Sequence, residues 1–287
     1  YVAVIPVPGR VTNGCSFELA IPGPTPWTPK NPTLYEVVLS LRENGRFCDR
    51  MSVAHGVREA VFDRDRGFVL NGEQVKLKGV CLHHDQGPLG ACEFVDSIER
   101  RLLILKAMGC NAIRCSHNPF SSTFYDFCDR LGFLVIDEIF DEWRAGKRPH
   151  TYHRFFDEWW ERDLTDQLLD HRHHCCIIAW SIGNEIPEKG RPEGVETARM
   201  LREACRRIDP TRPVTAGCNG IDGANAVGFP EELDVVGING GGDSCFRYDV
   251  NHERYPGRRL YASEVPHTYA TRGVYRTKTV YRDREMD

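Results

Sequence analysis

The sequence predicts an α/β fold: a (β/α)8 TIM barrel that ends before its eighth strand, preceded by part of an all-β immunoglobulin-like sandwich. Three observations predict it. From Gly67 onward, short β-branched or apolar segments alternate with longer segments of helical period, which is a βα series. Polar or ionisable residues close nearly every short segment: His83, His117, Asp137 with Glu138, Asn184 with Glu185, Asn239 and Glu264. Residues 1–62, by contrast, are rich in proline (Pro6, Pro8, Pro22, Pro24, Pro26, Pro29, Pro32) and carry short alternating segments with no helical period.

In chain order, the leading region has strand patterns at 16–21, 34–41 and 48–53. About 60 residues fall short of the roughly 100 of a whole sandwich, so 1–62 reads as the C-terminal part of such a domain. The barrel domain is assigned to 63–287, with strands at 75–81, 112–115, 134–137, 177–182, 214–216, 235–238 and 259–262. Helices are expected at 97–108, 121–131, 155–173 and 192–208, with weaker stretches at 229–233 and 250–255. In the first helix Ile98, Leu102, Leu105 and Met108 share a face, with Asp96 as N-cap and Gly109 as the stop. An open doubly wound sheet would gather only the polar strand ends near its switch point, whereas a barrel brings all of them to one mouth. The barrel therefore accounts for more of the sequence. Seven strands precede Asp287, and an eighth is not found.

Composition excludes several classes. With 41% hydrophobic and 27% charged residues among 287, the chain is neither disordered nor fibrous. A net charge of -4, a pI near 6.3 and no run of five or more like charges give no sign of a nucleic-acid or anionic-membrane partner. No apolar run approaches the roughly 18 residues of a membrane span. Twelve cysteines without a C-x-x-C pair read as free, buried thiols, which favours a reducing, cytoplasmic setting. Export stays open because Tyr1 is not an initiator Met, and a homo-oligomer stays open as well.

The strongest chemical signal is the buried segment Ile177-Ile-Ala-Trp-Ser-Ile-Gly-Asn-Glu185. A carboxyl at the C-terminal end of a barrel strand can protonate a substrate oxygen. Arg259-Leu-Tyr-Ala-Ser-Glu264 is a second apolar strand ending in Glu, three strands further round. Two carboxyls across one mouth are what hydrolysis of a glycosidic bond requires.

At this point the chain resembles glycoside hydrolase family 2, the β-galactosidase, β-glucuronidase and β-mannosidase family, and looks most like its bacterial β-galactosidases. The matching stretches are Gly67-Phe-Val-Leu-Asn-Gly72, Leu77-Lys-Gly-Val-Cys-Leu-His-His-Asp85, Met108-Gly-Cys-Asn-Ala-Ile-Arg-Cys-Ser-His-Asn-Pro119, Asp129-Arg-Leu-Gly-Phe-Leu-Val-Ile-Asp-Glu138, Trp180-Ser-Ile-Gly-Asn-Glu185 and Ala262-Ser-Glu264. The resemblance implies a retaining exo-β-glycosidase acting on terminal β-D-galactosides, with Glu264 as nucleophile and Glu185 as acid/base, held protonated by a raised pKa. It implies that Asn184 binds the sugar 2-hydroxyl and that His83 and His117 bind sugar hydroxyls. Trp143, in the loop after the third strand, is expected to offer an apolar face to a pyranose ring, with capping of the core as the alternative. Arg114 is expected to pair with the buried carboxylates.

No cofactor is implied. Some relatives carry magnesium near Asp137 and Glu138, but the following Ile139-Phe-Asp-Glu-Trp143 lacks the accompanying His, so no metal ligand is assigned. His171-Arg-His-His-Cys-Cys176 is rich in ligand types, yet it joins a helix to a strand and reads as structural. Gly240 stands where relatives often have a nucleophile-orienting Tyr; Tyr248 and Tyr269 are the candidates to replace it. A β-glucuronidase is the alternative within the class, although no Asn-x-Lys follows Glu264. A non-catalytic carbohydrate-binding relative is the alternative outside it, and such a protein has no need of two acids.

Overall fold

The computed structural model describes residues 20–240, 247–265, 279–281 and 284–286. Most of the 16–21 segment, together with Tyr269, lies outside the described residues.

In the leading region β1 (Tyr35–Glu43) and β2 (Arg46–His55) form an antiparallel hairpin. Its turn is Asn44-Gly45, both with positive φ (50° and 78°), the conformation a two-residue hairpin loop demands. A small antiparallel sheet follows, of β3 (Ala60–Asp63), β4 (Gly67–Leu70) and β5 (Glu73–Gln74), with Phe62 and Phe68 packed 5.0 Å apart.

The barrel comprises β6 (Gly79–Leu82), β7 (Ala112–Cys115), β8 (Leu134–Glu138), β9 (Ile177–Asn184), β10 (Val214–Cys218), β11 (Val235–Asn239) and β12 (Leu260–Glu264), all parallel and paired in chain order. The helices on its outside are α1 (Val95–Ala107), α2 (Ser122–Leu131), α3 (Phe156–His171), α4 (Pro192–Ile208), α5 (Ile221–Val227) and α6 (Arg247–Arg254). Strands β7 to β11 are buried along their whole length, as expected of a parallel sheet covered on both faces. The seven strands curl until β12 approaches β6, where Cys81 Sγ donates to the Ser263 carbonyl at 3.0 Å. Among the described residues no eighth strand enters this sheet, and β13 (Thr279–Tyr281) with β14 (Arg284–Met286) pairs separately. No described helix is long and apolar enough to cross a membrane.

Two expectations need correction. The first barrel strand begins at Gly79 rather than residue 75, because Val75 N is bonded to Phe68 O at 2.9 Å and the chain there still belongs to the small sheet. Helix α1 is capped by Phe94, not Asp96, and ends at Ala107. Met108 then falls beyond the helix and is 69% exposed, whereas Ile98, Leu102 and Leu105 are buried.

The leading region is tied to the barrel floor by Asp129 at the end of α2. Trp27, fully buried, donates Nε1 to the Asp129 carbonyl at 2.8 Å. The Asp129 carboxylate accepts the Cys176 N–H at 2.7 Å and the Cys175 thiol at 3.3 Å, and meets His174 Nδ1 at 2.7 Å. Arg58 reaches across to the Cys175 carbonyl at 2.6 Å and to the Ile177 carbonyl. A Cβ on Gly56 would run into Cys175 Sγ, so the leading segment packs directly on that side chain. His171 Nδ1 lies 2.9 Å from Asp137 Oδ2, so two of the three histidines in 171–176 are held by carboxylates.

Burial would raise the Asp129 pKa, but the hydrogen bonds from His174 and Cys176 outweigh it and lower it. Its contribution to stability is therefore present above the unfolded value near 3.9 and fades as pH falls through the lower folded value. Asp129→Asn should cost about 3 kcal/mol at pH 7 in urea unfolding and flatten the loss of stability below about pH 4. An unchanged midpoint at pH 7 would show that the joint does not depend on this carboxylate.

Candidate active site

The C-terminal ends of the barrel strands converge on one guanidinium. Arg114, buried on β7, donates Nη2 to both Glu138 oxygens at 2.8 Å and to Asn184 Oδ1 at 2.8 Å, and Nη1 to Glu264 Oε2 at 3.1 Å. Burial alone would raise the Glu138 pKa. Arg114, His117 and the Ser181 hydroxyl outweigh it and hold the carboxyl at about 2. The same pairing raises the Arg114 pKa against the opposing cost of burial.

Asn239, at the end of β11, joins the two acids. Its Nδ2 lies 3.2 Å from Glu185 Oε1, 3.3 Å from Glu264 Oε2 and 2.8 Å from Asn184 Oδ1. The two contacts cap the separation of those carboxyl oxygens at about 6.5 Å. Ser263 fixes the amide by donating to Asn239 Oδ1 at 2.5 Å. Gly217 on β10 makes room for the cluster: a Cβ there would lie 2.8 Å from Asn239 Oδ1 and 3.1 Å from both Arg114 Nη2 and Asn184 Oδ1.

Two site residues have left-handed backbones, His117 (φ 74°) and Glu185 (φ 45°). Such strain costs roughly 1–3 kcal/mol and persists where the surroundings fix it. His117 is fixed through its N–H (2.8 Å) and Nδ1 (3.0 Å) to Glu138 Oε1, and Glu185 through its N–H to Gly217 O at 2.7 Å.

His83 and His117 stand edge to face, 5.0 Å apart, and each has a ligand atom within 4.8 Å of the other and of a Glu264 oxygen. Burial, then the neighbouring His117, lowers the His83 pKa and favours the neutral ring. Asn184 is buried, and its Nδ2 donates to Asp141 at 3.1 Å. Beside Glu264 a cavity of about 1330 Å³ opens, lined in part by Cys81, His83, Arg114, Tyr248 and Tyr261.

Trp143 requires correction. It is fully buried, donates Nε1 to Ile182 O at 2.8 Å and packs between Phe156 and Phe229, so it has no face for a sugar. Tyr248, a candidate for orienting the nucleophile, donates its hydroxyl to Ile238 O at 3.0 Å. Asn239 also reaches Glu264, with Nδ2 3.3 Å from Oε2; sequence reasoning placed it at a strand end but gave it no task.

The acids near a magnesium position do not fit that ion. Glu138 is saturated by Arg114, His117 and Ser181. Asp137 takes Tyr125 OH at 2.6 Å and His171, and Glu142 takes the N–H groups of Lys147 (2.6 Å) and His153 (2.9 Å).

Comparison with known proteins gives the class. Residues 61–230 match the model of the TIM barrel domain of glycosyl hydrolases family 2, and residues 3–58 match a second model described as glycosyl hydrolases family 2. The chain belongs to glycoside hydrolase family 2. It is similar to the β-galactosidase BoGH2A of Bacteroides ovatus, with 39% identity over 290 residues covering 90% of this chain and 34% of the relative. It is also similar to a β-glucuronidase of Bacteroides fragilis, with 31% identity over 206 residues, covering 71% of this chain and 30% of the relative. Among solved structures, a β-glycosidase from Bacteroides vulgatus superposes with a TM-score of 0.81 at 42% identity, covering 90% of this chain and 32% of that one. The chain thus spans about a third of the length of these relatives.

Arg114→Met would leave the buried Glu138 carboxylate without its cation. Such a variant should lose about 3–5 kcal/mol of stability, read as a lowered midpoint of chemical unfolding. A midpoint matching the wild type would mean that the hydrogen bonds from His117 and Ser181 suffice to hold Glu138.

Proposed function

We propose that this protein is a retaining exo-β-glycosidase for terminal β-D-galactosides. The observation that carries the reading is the single amide nitrogen of Asn239 within 3.3 Å of both Glu185 and Glu264. A retaining pair stands about 5–5.5 Å apart, whereas an inverting pair needs about 6.5–9.5 Å to admit water, so the limit of about 6.5 Å supports retention.

Glu264 attacks the anomeric carbon, the bond to the glycosidic oxygen breaks, and that oxygen takes the Glu185 proton. In the second step water gives a proton to Glu185 while its oxygen displaces Glu264 from the anomeric carbon. Arg114 and Asn239 aim the Glu264 oxygen. Asn184, His83 and His117 meet the sugar hydroxyls, most strongly as positive charge develops on the ring.

A neutral glycone is favoured over a glucuronide because two of the cations at the described site are already paired. Arg114 is held by Glu138 and Glu264, and Lys147 Nζ lies 2.7 Å from Asp141 Oδ1. A buried sugar carboxylate would have no spare partner among them. The similarity to a β-galactosidase points the same way, and that to a β-glucuronidase keeps the second glycone in the test.

On a panel of p-nitrophenyl β-glycosides, the full-length protein should turn over the galactoside at least tenfold faster, by kcat/KM, than the glucuronide. The reverse order would overturn the glycone, and no turnover on any member would favour a carbohydrate-binding role.

Variants divide the two acids. Glu264→Gln should abolish turnover, while Glu185→Gln should retain activity on substrates with good leaving groups and regain deglycosylation with azide. Azide rescue of Glu264→Gln but not of Glu185→Gln would exchange the assignments.

A further inference from the structure

We propose that His83, His117 and Glu264 form a binding site for a divalent transition-metal ion of the zinc class, and that the bound ion shuts off the nucleophile. The occupancy stands independently of the proposed function; the inhibition rests on it.

The donor set carries the argument. Two imidazoles and one carboxylate compose a three-ligand zinc site with an open fourth position. Here they come from three different strand ends, with ligand atoms all within 4.8 Å of one another. Bonds of about 2.0–2.2 Å to a tetrahedral ion bring ligand atoms to roughly 3.3 Å, so closure from within 4.8 Å needs a shift of at most about 1.5 Å. His83, the exposed member, can make it by side-chain rotation.

The supporting contacts already resemble those of a metal centre. His117 Nδ1 lies 3.0 Å from the buried Glu138 carboxylate, which fixes the ring and leaves Nε2 as the ligand nitrogen. Glu264 is oriented by Arg114 at 3.1 Å and Asn239 at 3.3 Å. The Arg114 charge, which would repel a cation, is offset by Glu138 at 2.8 Å. Nitrogen donors disfavour magnesium and calcium, which take oxygen. The His/Cys-rich run at 171–176 is a weaker competitor, because Asp137 and Asp129 hold His171 and His174.

Cobalt(II) is the spectroscopic probe, added to full-length protein whose metal has been removed by chelation. One ion per chain should bind with a visible spectrum lacking the thiolate-to-cobalt charge-transfer band that the free cysteines would give. Zinc should displace it, and magnesium should not. His83→Ala and Glu264→Gln should each weaken binding at least tenfold, with circular dichroism confirming that both variants are folded.

Zinc should also inhibit glycoside hydrolysis over the concentration range in which it displaces cobalt. A thiolate band, affinity unchanged in both variants, or no binding at all would overturn the site. Binding with the expected variant pattern in a protein that hydrolyses no glycoside would overturn the catalytic reading and leave the site. An active enzyme that binds no cobalt would do the reverse.

Discussion

The site depends on one buried cation. Taking Glu138 wholly out of water is costly unless its charge is matched and its oxygens are bonded. Arg114 does both, and its remaining N–H groups then fix Asn184 and Glu264. A planar guanidinium presents several donors in set directions, which one lysine ammonium could not reproduce. The positions of three strand ends, β8, β9 and β12, are thereby referred to a single group on β7.

The rest of the architecture makes this arrangement affordable. Gly217 contributes its lack of a side chain, since even one methyl would crowd Asn239, Arg114 and Asn184. The left-handed conformations of His117 and Glu185 turn the chain sharply at the barrel rim, and each is offset by a hydrogen bond from its own backbone N–H. Asp129 resolves a similar problem at the opposite end, where a carboxylate binds the leading region to the β9 entrance. Cys175 has a role there: its thiol donates to Asp129, and its side chain packs against Gly56.

Much of this was legible in the sequence. The apolar runs of β8, β9 and β11 identified the barrel, because a strand buried on both faces leaves few other readings, and the carboxyl residues at the ends of β9 and β12 singled out Glu185 and Glu264. The start of β6 was not legible: Val75 and Leu77 continue an apolar pattern, and only the backbone bond from Val75 to Phe68 assigns that stretch to a neighbouring sheet. Trp143 was misread because an aromatic residue in a loop after a strand looks the same whether it faces a sugar or Phe156 and Phe229. Asn239 was visible as a polar strand end, but its bridging of two carboxylates depends on the relative positions of β9, β11 and β12, which no local pattern encodes.

The central claim is that Glu264 forms a covalent bond to the sugar. The direct measurement is to trap that bond in the full-length protein with a 2-deoxy-2-fluoro-β-galactosyl fluoride and locate the label by peptide mass spectrometry. The account predicts a stoichiometric label on the peptide containing Glu264, attached to that carboxyl. A label on Glu185, or steady turnover of the fluoride with inversion at the anomeric carbon and no trapped adduct, would contradict it.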